Sequence, residues 1–443
     1  MGTHTHRAYA RALETLDARG FGIKPDLSRI SALVELLDHP ELRFPTVHLA
    51  GTNGKSSTAR MIGAVLAAHG IDTGVYTSPH LQSVRERFAL IGMLEDEVEA
   101  EYISQEDFAR LIEYLTRFIE IVEVERGEQV TYFETTTVAA FEWMADRSVE
   151  AGVFETGLGG RWDATNVVSP EVCVLTHIDV DHSKMLGDTP IENAREKAGI
   201  IKPGSHVVSG SQQPDVLELL VETAAQQGSS FSLMGKDFEL SSDEIAVGGR
   251  LIGVTGLHAS YKEVFVPLLG AHQSRNAAVA VAACEAFLGR SLEEDALKAG
   301  LNSVRSPGRM EVISKHPLLI LDGAHNPDGA SVLGPALLET FGRRPSTFVI
   351  AILRDKDAEG IFRHLLPYAD KLLVTTSSSE RSADPKRLAE IARGRGASVE
   401  VVDSIPAALE QALEGAGEDE MVVFTGSLEA VGKARDHLLG PVE

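Results

Sequence analysis

Apolar residues fall in two periods along this chain. The short runs Thr46–Ala50, Gly74–Thr77, Ala151–Glu155, Val172–Ile178 and His206–Gly210 are dominated by apolar and β-branched residues and predict buried strands. Between such runs the apolar positions recur with helical spacing. From Lys55 to His69 that spacing puts Met61, Ile62, Val65 and Leu66 on one face, and Gly70 ends the run. Residues 238–267 differ: the pieces Ile245–Val247, Leu251–Thr255 and Glu263–Pro267 predict a small antiparallel element, followed by a helix over Ser274–Phe287. After Pro307-Gly308-Arg309 the alternation restarts, with strands over Leu318–Leu321, Thr347–Ile352, Lys371–Thr375, Ser398–Val402 and Met421–Phe424 and a closing helix over Leu428–Leu439. The predicted class is α/β: a mostly parallel sheet domain with a small antiparallel element over residues 1–306, then a doubly wound, Rossmann-like domain over 307–443. Two such domains imply a cleft at the carboxyl ends of their strands.

Charge narrows the partners. Lys and Arg number 41 against 65 Asp and Glu, a formal net charge of −24. That excludes a broad basic face for nucleic acid, so any anionic ligand needs local cations or helix N-termini. Cys173 and Cys284 are the only cysteines, which excludes a disulfide framework and points to a reducing compartment. The polar N-terminus carries no signal-peptide pattern, and the longest apolar stretch, Ala277–Leu288, is broken by Glu285 and far short of the ~20 residues of a membrane span. A cytoplasmic monomer without membrane or nucleic-acid partners is expected.

The chemistry concentrates at strand ends. Strand Thr46–Ala50 runs into Gly51-Thr52-Asn53-Gly54-Lys55-Ser56-Ser57 and then a helix. That order lets backbone N–H groups and a helix N-terminus meet phosphate oxygens, Lys55 neutralise them and a hydroxyl approach Mg²⁺. The strict phosphate-loop spacing is not met, because Leu49 stands where the first glycine would be. Further strand ends supply Ser78, Glu155 and His182, an oxygen- and nitrogen-rich set able to hold Mg²⁺ beside phosphates. Taken singly, each is an ordinary turn residue; the joint pattern is the signal.

These motifs resemble the Mur ligase superfamily, and within it the folylpolyglutamate synthase family with its bifunctional dihydrofolate synthase members. The matching stretches are His48–Ser57, Tyr76–Leu81, Thr131–Glu134, Glu155–Val167, Asp181-His182, Arg195–Ile200, Pro307–Arg309, Asp322–Pro327 and Asp355–Asp357. The resemblance implies ATP-dependent ligation of L-glutamate to folate, and in bifunctional members to dihydropteroate, through an acyl phosphate. It implies that Gly51 to Ser57, with Asn276, Arg309 and Asp322, hold ATP. Ser78, Glu155 and His182, with Ser56, then hold Mg²⁺ in two sites, and a CO₂-derived carbamate on Lys197 serves the second metal. By the same resemblance Thr131, Tyr132, Phe133, Glu134 and Ala164 lie in pterin-contacting segments, while Asp322, His325 and Ser427 lie near the incoming glutamate. Either His325 or Asp322 is a candidate to take the proton of the glutamate amine.

Arg85, Arg87, Arg161 and Lys184 are candidates for the positive patch an anionic folate needs on so acidic a chain. Two departures stand out: Ser56 replaces the glycine common after the loop lysine, and Glu429 replaces an aromatic residue after Gly426-Ser427-Leu428. Two rivals remain at this point. One is a Mur-type ligase acting on a cell-wall precursor, disfavoured because about 45 residues before the first strand are too few for an extra domain of ~50–200 residues. The other is a phosphate-loop ATPase or switch protein. Bifunctionality, the preferred folate and the tail length are left open.

Overall fold

In the computed structural model, which describes residues 2–20, 25–181, 183–377 and 379–442, strand Thr46–Ala50 is wholly buried between two parallel neighbours. The eight-stranded sheet around it runs Glu97–Tyr102, Phe88–Leu94, Thr73–Tyr76, Ala151–Glu155, Thr46–Ala50, Val172–Leu175, His206–Ser209, Ser230–Leu233. Thr46–Ala50 is covered on both faces: Val47 and Leu49 enter one apolar layer, while His48 and Ala50 are buried on the other side. One layer is formed by helices Lys55–Ala68, Ala271–Leu288 and Glu294–Ser303. The other is formed by Gly2–Asp17, Ser28–Leu36, Gln105–Arg126 and Tyr132–Asp146. The chain passes from Thr46–Ala50 to strands on one side of it and later to Val172–Leu175 on the other. This reversal of strand order opens a crevice at the carboxyl ends.

The antiparallel hairpin Phe88–Leu94 and Glu97–Tyr102 was not among the strands read from the sequence. Its outer strand reads Glu-Val-Glu-Ala-Glu-Tyr and lies at the sheet edge, where acids discourage pairing with another chain. The turn has a local cause: Glu95 and Asp96 take φ of 47° and 70°, as a tight two-residue hairpin requires.

The three-stranded antiparallel sheet is formed by Glu239–Ala246, Gly249–Thr255 and Ser260–Val266, longer than the pieces read from sequence. Glu285, the acid that interrupts the apolar helix, explains how this sheet is tied down. Its buried carboxylate accepts from the Leu257, His258 and Ala259 amides and from the Tyr261 hydroxyl at 2.6 Å. Sheets change between helix Glu294–Ser303 and strand Glu311–Lys315. The second sheet runs Glu311–Lys315, Leu318–Leu321, Met421–Thr425, Ser346–Ile350, Lys371–Val374, Val399–Val401. Its unforeseen first strand is an antiparallel edge, and the remaining pairings are parallel.

A buried charge pair fastens the helical layer. Arg29, with a side chain only 2% exposed, donates from Nε to both Glu134 oxygens at 3.0 and 3.1 Å, and from a terminal nitrogen to Glu128 at 2.8 Å. Arg29→Met leaves Glu134 buried without its countercharge. A loss of about 3–5 kcal/mol in urea unfolding is expected, and an unchanged midpoint would refute this assignment.

Candidate active site

The loop after the central strand is shaped by close approach. Gly51 has φ 156°, and a Cβ there would lie 1.8 Å from Thr176 Oγ1. Gly54 has φ 89°, and a Cβ there would lie 2.6 Å from Asn276 Oδ1. Thr52 donates its hydroxyl to Asp179 O at 2.7 Å, fastening the loop to the neighbouring strand end. Lys55 opens the helix, and its ammonium donates to Gly51 O at 2.9 Å and Thr52 O at 3.3 Å, which keeps it over the loop. Ser57 is buried, with its hydroxyl 3.2 Å from that of Ser306 in the segment leading to the second sheet.

Beside the loop, Glu155 is 2% exposed. It accepts from Ser56 Oγ at 2.9 Å and from the Ser78 amide at 3.0 Å. Burial pushes its carboxyl upward, while Lys55, these two hydrogen bonds and Arg309 favour the charged form. The hydroxyls of Ser78 and Thr156 are buried and have no hydrogen-bond partner among the described residues. A buried carboxylate beside unsatisfied hydroxyls, with a lysine nearby, is a donor set that fits Mg²⁺. His182 lies outside the described residues.

Lys197 joins this cluster through glycine-to-backbone packing. A Cβ on Gly160 would lie 2.8 Å from Lys197 O, and one on Gly199 would lie 2.5 Å from Arg161 Cα and Cβ. The two turns therefore interlock. Lys197 is 3% exposed, and burial, reinforced by the Lys55 charge, pulls its ammonium down to about 7 against the opposing pull of Asp181 and Asp163. The structure thus gathers Lys55, Ser56, Ser78, Glu155 and Lys197 at adjoining strand ends.

A cavity of about 600 Å³ opens from the loop towards the second sheet, lined by Asn53, Gly54, Asn276, Arg309 and Asp322 among others. The sequence reading missed His272 and Asp328 in its wall. Asp328 directly follows the Asp322–Pro327 stretch, a signal that was there to use; it accepts from Asn53 Nδ2 at 2.6 Å. His272 carried no sequence signal. Burial and the Arg275 and Arg309 charges pull it down to about 4, so it is neutral, and its buried Nδ1 has no partner among the described residues. Asp322 faces this cavity with its oxygens held by the Met310 and Ala324 amides at 2.9 and 2.8 Å. That placement fits nucleotide binding rather than proton abstraction. His325 stands elsewhere, its Nδ1 donating to Gly323 O at 2.8 Å and its Nε2 3.7 Å from Asp181. Asp181 also receives Asn326 at 3.1 Å and Lys356 at 2.7 Å, so one carboxylate of the first sheet domain collects donors from the second.

Several residues expected to contact substrate have structural partners of their own. Thr131 caps helix Tyr132–Asp146 in a reciprocal box with Glu134, and Glu134 is further taken by Arg29. The polar atoms of both are already paired within the protein. Ser427 is 1% exposed, and its hydroxyl caps the closing helix, accepting from the Ala430 amide at 3.5 Å. Tyr132 is buried beneath the Arg87 guanidinium, 5.4 Å from the ring centre. Arg87 in turn donates to His80 Nδ1 at 3.0 Å; burial and Arg87 pull His80 to about 3, so that nitrogen is unprotonated and accepts this hydrogen bond. Phe133 packs on Gly157, where a Cβ would lie 2.6 Å from its ring, and belongs with Ala164 to one apolar cluster that includes Tyr76. Arg161 is exposed, Arg85 donates to Ile103 O at 2.7 Å, and the Lys184 side chain lies outside the described residues.

Comparison with known proteins agrees with this geometry. Residues 49–284 match the family described as the Mur ligase middle domain, and residues 308–428 match the Mur ligase glutamate ligase domain. The chain is 37% identical over 439 residues to the dihydrofolate synthase/folylpolyglutamate synthase of Mycobacterium tuberculosis, covering 93% of this chain and 90% of that one. It is 32% identical over 420 residues to the folylpolyglutamate synthase of Lacticaseibacillus casei, covering 94% and 95%. The solved Mycobacterium tuberculosis folylpolyglutamate synthase complexed with ADP superposes with a TM-score of 0.92 at 35% identity, covering 98% of this chain and 99% of that one.

Proposed function

From its membership of the folylpolyglutamate synthase/dihydrofolate synthase family within the Mur ligases, to which this chain belongs, we infer an ATP-dependent ligase that adds L-glutamate to folate. The observation that carries the reading is Glu155: a buried carboxylate held by Ser56 of the phosphate loop and by Ser78, with Lys55 nearby. A carboxylate is a poor acyl donor. Its oxygen therefore attacks the γ-phosphorus of ATP, the bridging P–O bond breaks, and ADP departs. The amine of glutamate then adds to the acyl carbon, loses a proton, and phosphate leaves. Lys55 and the loop amides neutralise the transferring phosphoryl group.

Ser78, Glu155 and Ser56 would hold Mg²⁺, with a carbamate on Lys197 serving a second ion. Bound there, the metal supplies charge neutralisation between two anionic reactants. His325 is the better candidate to take the amine proton, because the Asp322 oxygens are already held by the Met310 and Ala324 amides. Residues 1–306 and 307–443 act as two bodies closing on the nucleotide. The contacts of Asp181 with Lys356 and of Asn53 with Asp328 support this, since closure excludes water from the acyl phosphate. Phe133 and Ala164 lie in one apolar layer beside the Arg87–Tyr132 contact, in the stretches that the family resemblance assigns to the pterin, so dihydropteroate is proposed as a further acceptor. A cytoplasmic monomer is in keeping with two buried free thiols.

The test supplies ATP, Mg²⁺ and glutamate with either a reduced folate or dihydropteroate and weighs the products. One added glutamyl unit on folate is expected, and on dihydropteroate if both activities reside here. Phosphate release without an amide product would overturn the ligase reading in favour of an ATPase.

A further inference from the structure

A second cavity, of about 250 Å³, lies between helix Lys55–Ala68, the edge hairpin and residues 303–305, and shares no lining residue with the nucleotide cavity. Its floor is apolar, built from Ala64, Val75, Ala89, Ile91 and Val304, all buried. Its polar wall is cationic in effect. Glu86 lines it, but its carboxylate is consumed by the Leu81, Gln82 and Ser83 amides at 2.8–2.9 Å. Arg60 donates only to uncharged oxygens, Tyr102 Oη at 3.0 Å and Arg305 O at 3.5 Å. Arg305 donates to the Asn302 and Val304 carbonyls, both at 2.9 Å. Neither guanidinium has a carboxylate partner among the described residues. Each carries five N–H donors, so most of that capacity faces the cavity mouth and solvent. In a chain of net charge −24, where acids outnumber bases, two arginines without a countercharge beside an apolar floor mark an anion subsite.

Its position gives it leverage. Residues 303–305 lead directly into Ser306-Pro307-Gly308-Arg309, where the chain crosses to the second sheet. An adjoining cavity of about 200 Å³ shares Arg60, Thr77, Glu86 and Tyr102 and reaches Ser56 and Arg309. Whatever fills the first cavity touches both the phosphate-loop helix and the crossing segment.

We propose that this cavity binds a small aromatic carboxylate, its ring on the apolar floor and its carboxylate between Arg60 and Arg305, and that occupancy slows turnover by tying the crossing segment to the phosphate-loop helix. A carboxylate suits the guanidinium fork. The apolar floor selects a flat ring over an inorganic anion. Because the nucleotide cavity is separate, kcat falls while the KM for ATP stays unchanged.

The test titrates 2-naphthoate, and 2-naphthamide as its neutral isostere, into the full chain by calorimetry. This readout does not depend on the folate reading. Saturable naphthoate binding is expected, with the amide about tenfold weaker or more. Arg305→Gln should lose about tenfold in naphthoate affinity with basal turnover unchanged, and Val98→Trp, which fills the cavity from the hairpin, should abolish binding. Equal affinity for acid and amide, undiminished binding in Val98→Trp, or no saturable binding would each overturn the proposal. A rise in the KM for ATP on adding naphthoate would overturn the separate-site mechanism.

Discussion

Lys197→Ala should lower turnover by about 10²–10³-fold while ATP binding, measured by calorimetry, changes little. Lys197 is almost fully buried beside Lys55 and reaches no carboxylate within ion-pairing distance among the described residues. A permanently charged ammonium there would be expensive to keep. On the carbamylation proposed above, the neutral amine would add to CO₂, release a proton and become a carbamate, turning a cation into an anion beside the proposed metal ligands. The pH dependence follows from the direction of the shift. Lysine normally stays protonated far above neutrality, but this one is pulled down to about 7, so the reactive amine accumulates as pH rises through that value. Protein stripped of CO₂ in acid should regain activity on adding bicarbonate, with a recovery rate that climbs from about pH 6 to 8. Full activity in Lys197→Ala, or recovery indifferent to bicarbonate, would remove the carbamate from the chemistry.

Glu155→Gln should also cut turnover by about 10²–10³-fold and shift the Mg²⁺ midpoint upward, yet leave thermal stability equal or higher. The carboxylate is buried at a desolvation cost that its two donors and Lys55 only partly offset. The amide keeps the shape and one acceptor oxygen without the charge. A residue kept for packing would behave the other way, losing stability and sparing activity. Equal losses in melting temperature and turnover would therefore argue against a metal-binding role.

The legible part of this molecule was the part with local physical cause. The central strand, the glycines that need positive φ or close approach, and the helix opened by Lys55 are written in a dozen adjacent residues, because backbone geometry and apolar period act over short range. The hairpin Phe88–Tyr102 was missed because its outer strand, though alternating, buries Val98 and Tyr102 only partly at the sheet edge, and its acids weaken the apolar signal. Thr131 and Glu134 were read as substrate contacts because a capping box and a ligand site use the same residue types. Only Arg29, over a hundred positions away, reveals which one is present. Ser427 shows the same ambiguity: a helix cap and a ligand hydroxyl look alike in one dimension.

By itself, then, the order of residues determined two α/β bodies, a phosphate-binding turn and the identity of the groups able to do the chemistry. Tertiary structure alone decided which of those groups meet. It set Ser78 and Ser56 on the same buried carboxylate, brought Lys356 and Asn326 across to Asp181, and left Arg60 and Arg305 without a countercharge. The reason is that chemical identity is carried by each side chain. Burial, partner and charge balance belong to pairs of residues far apart in the chain, and exist only once the layers have packed.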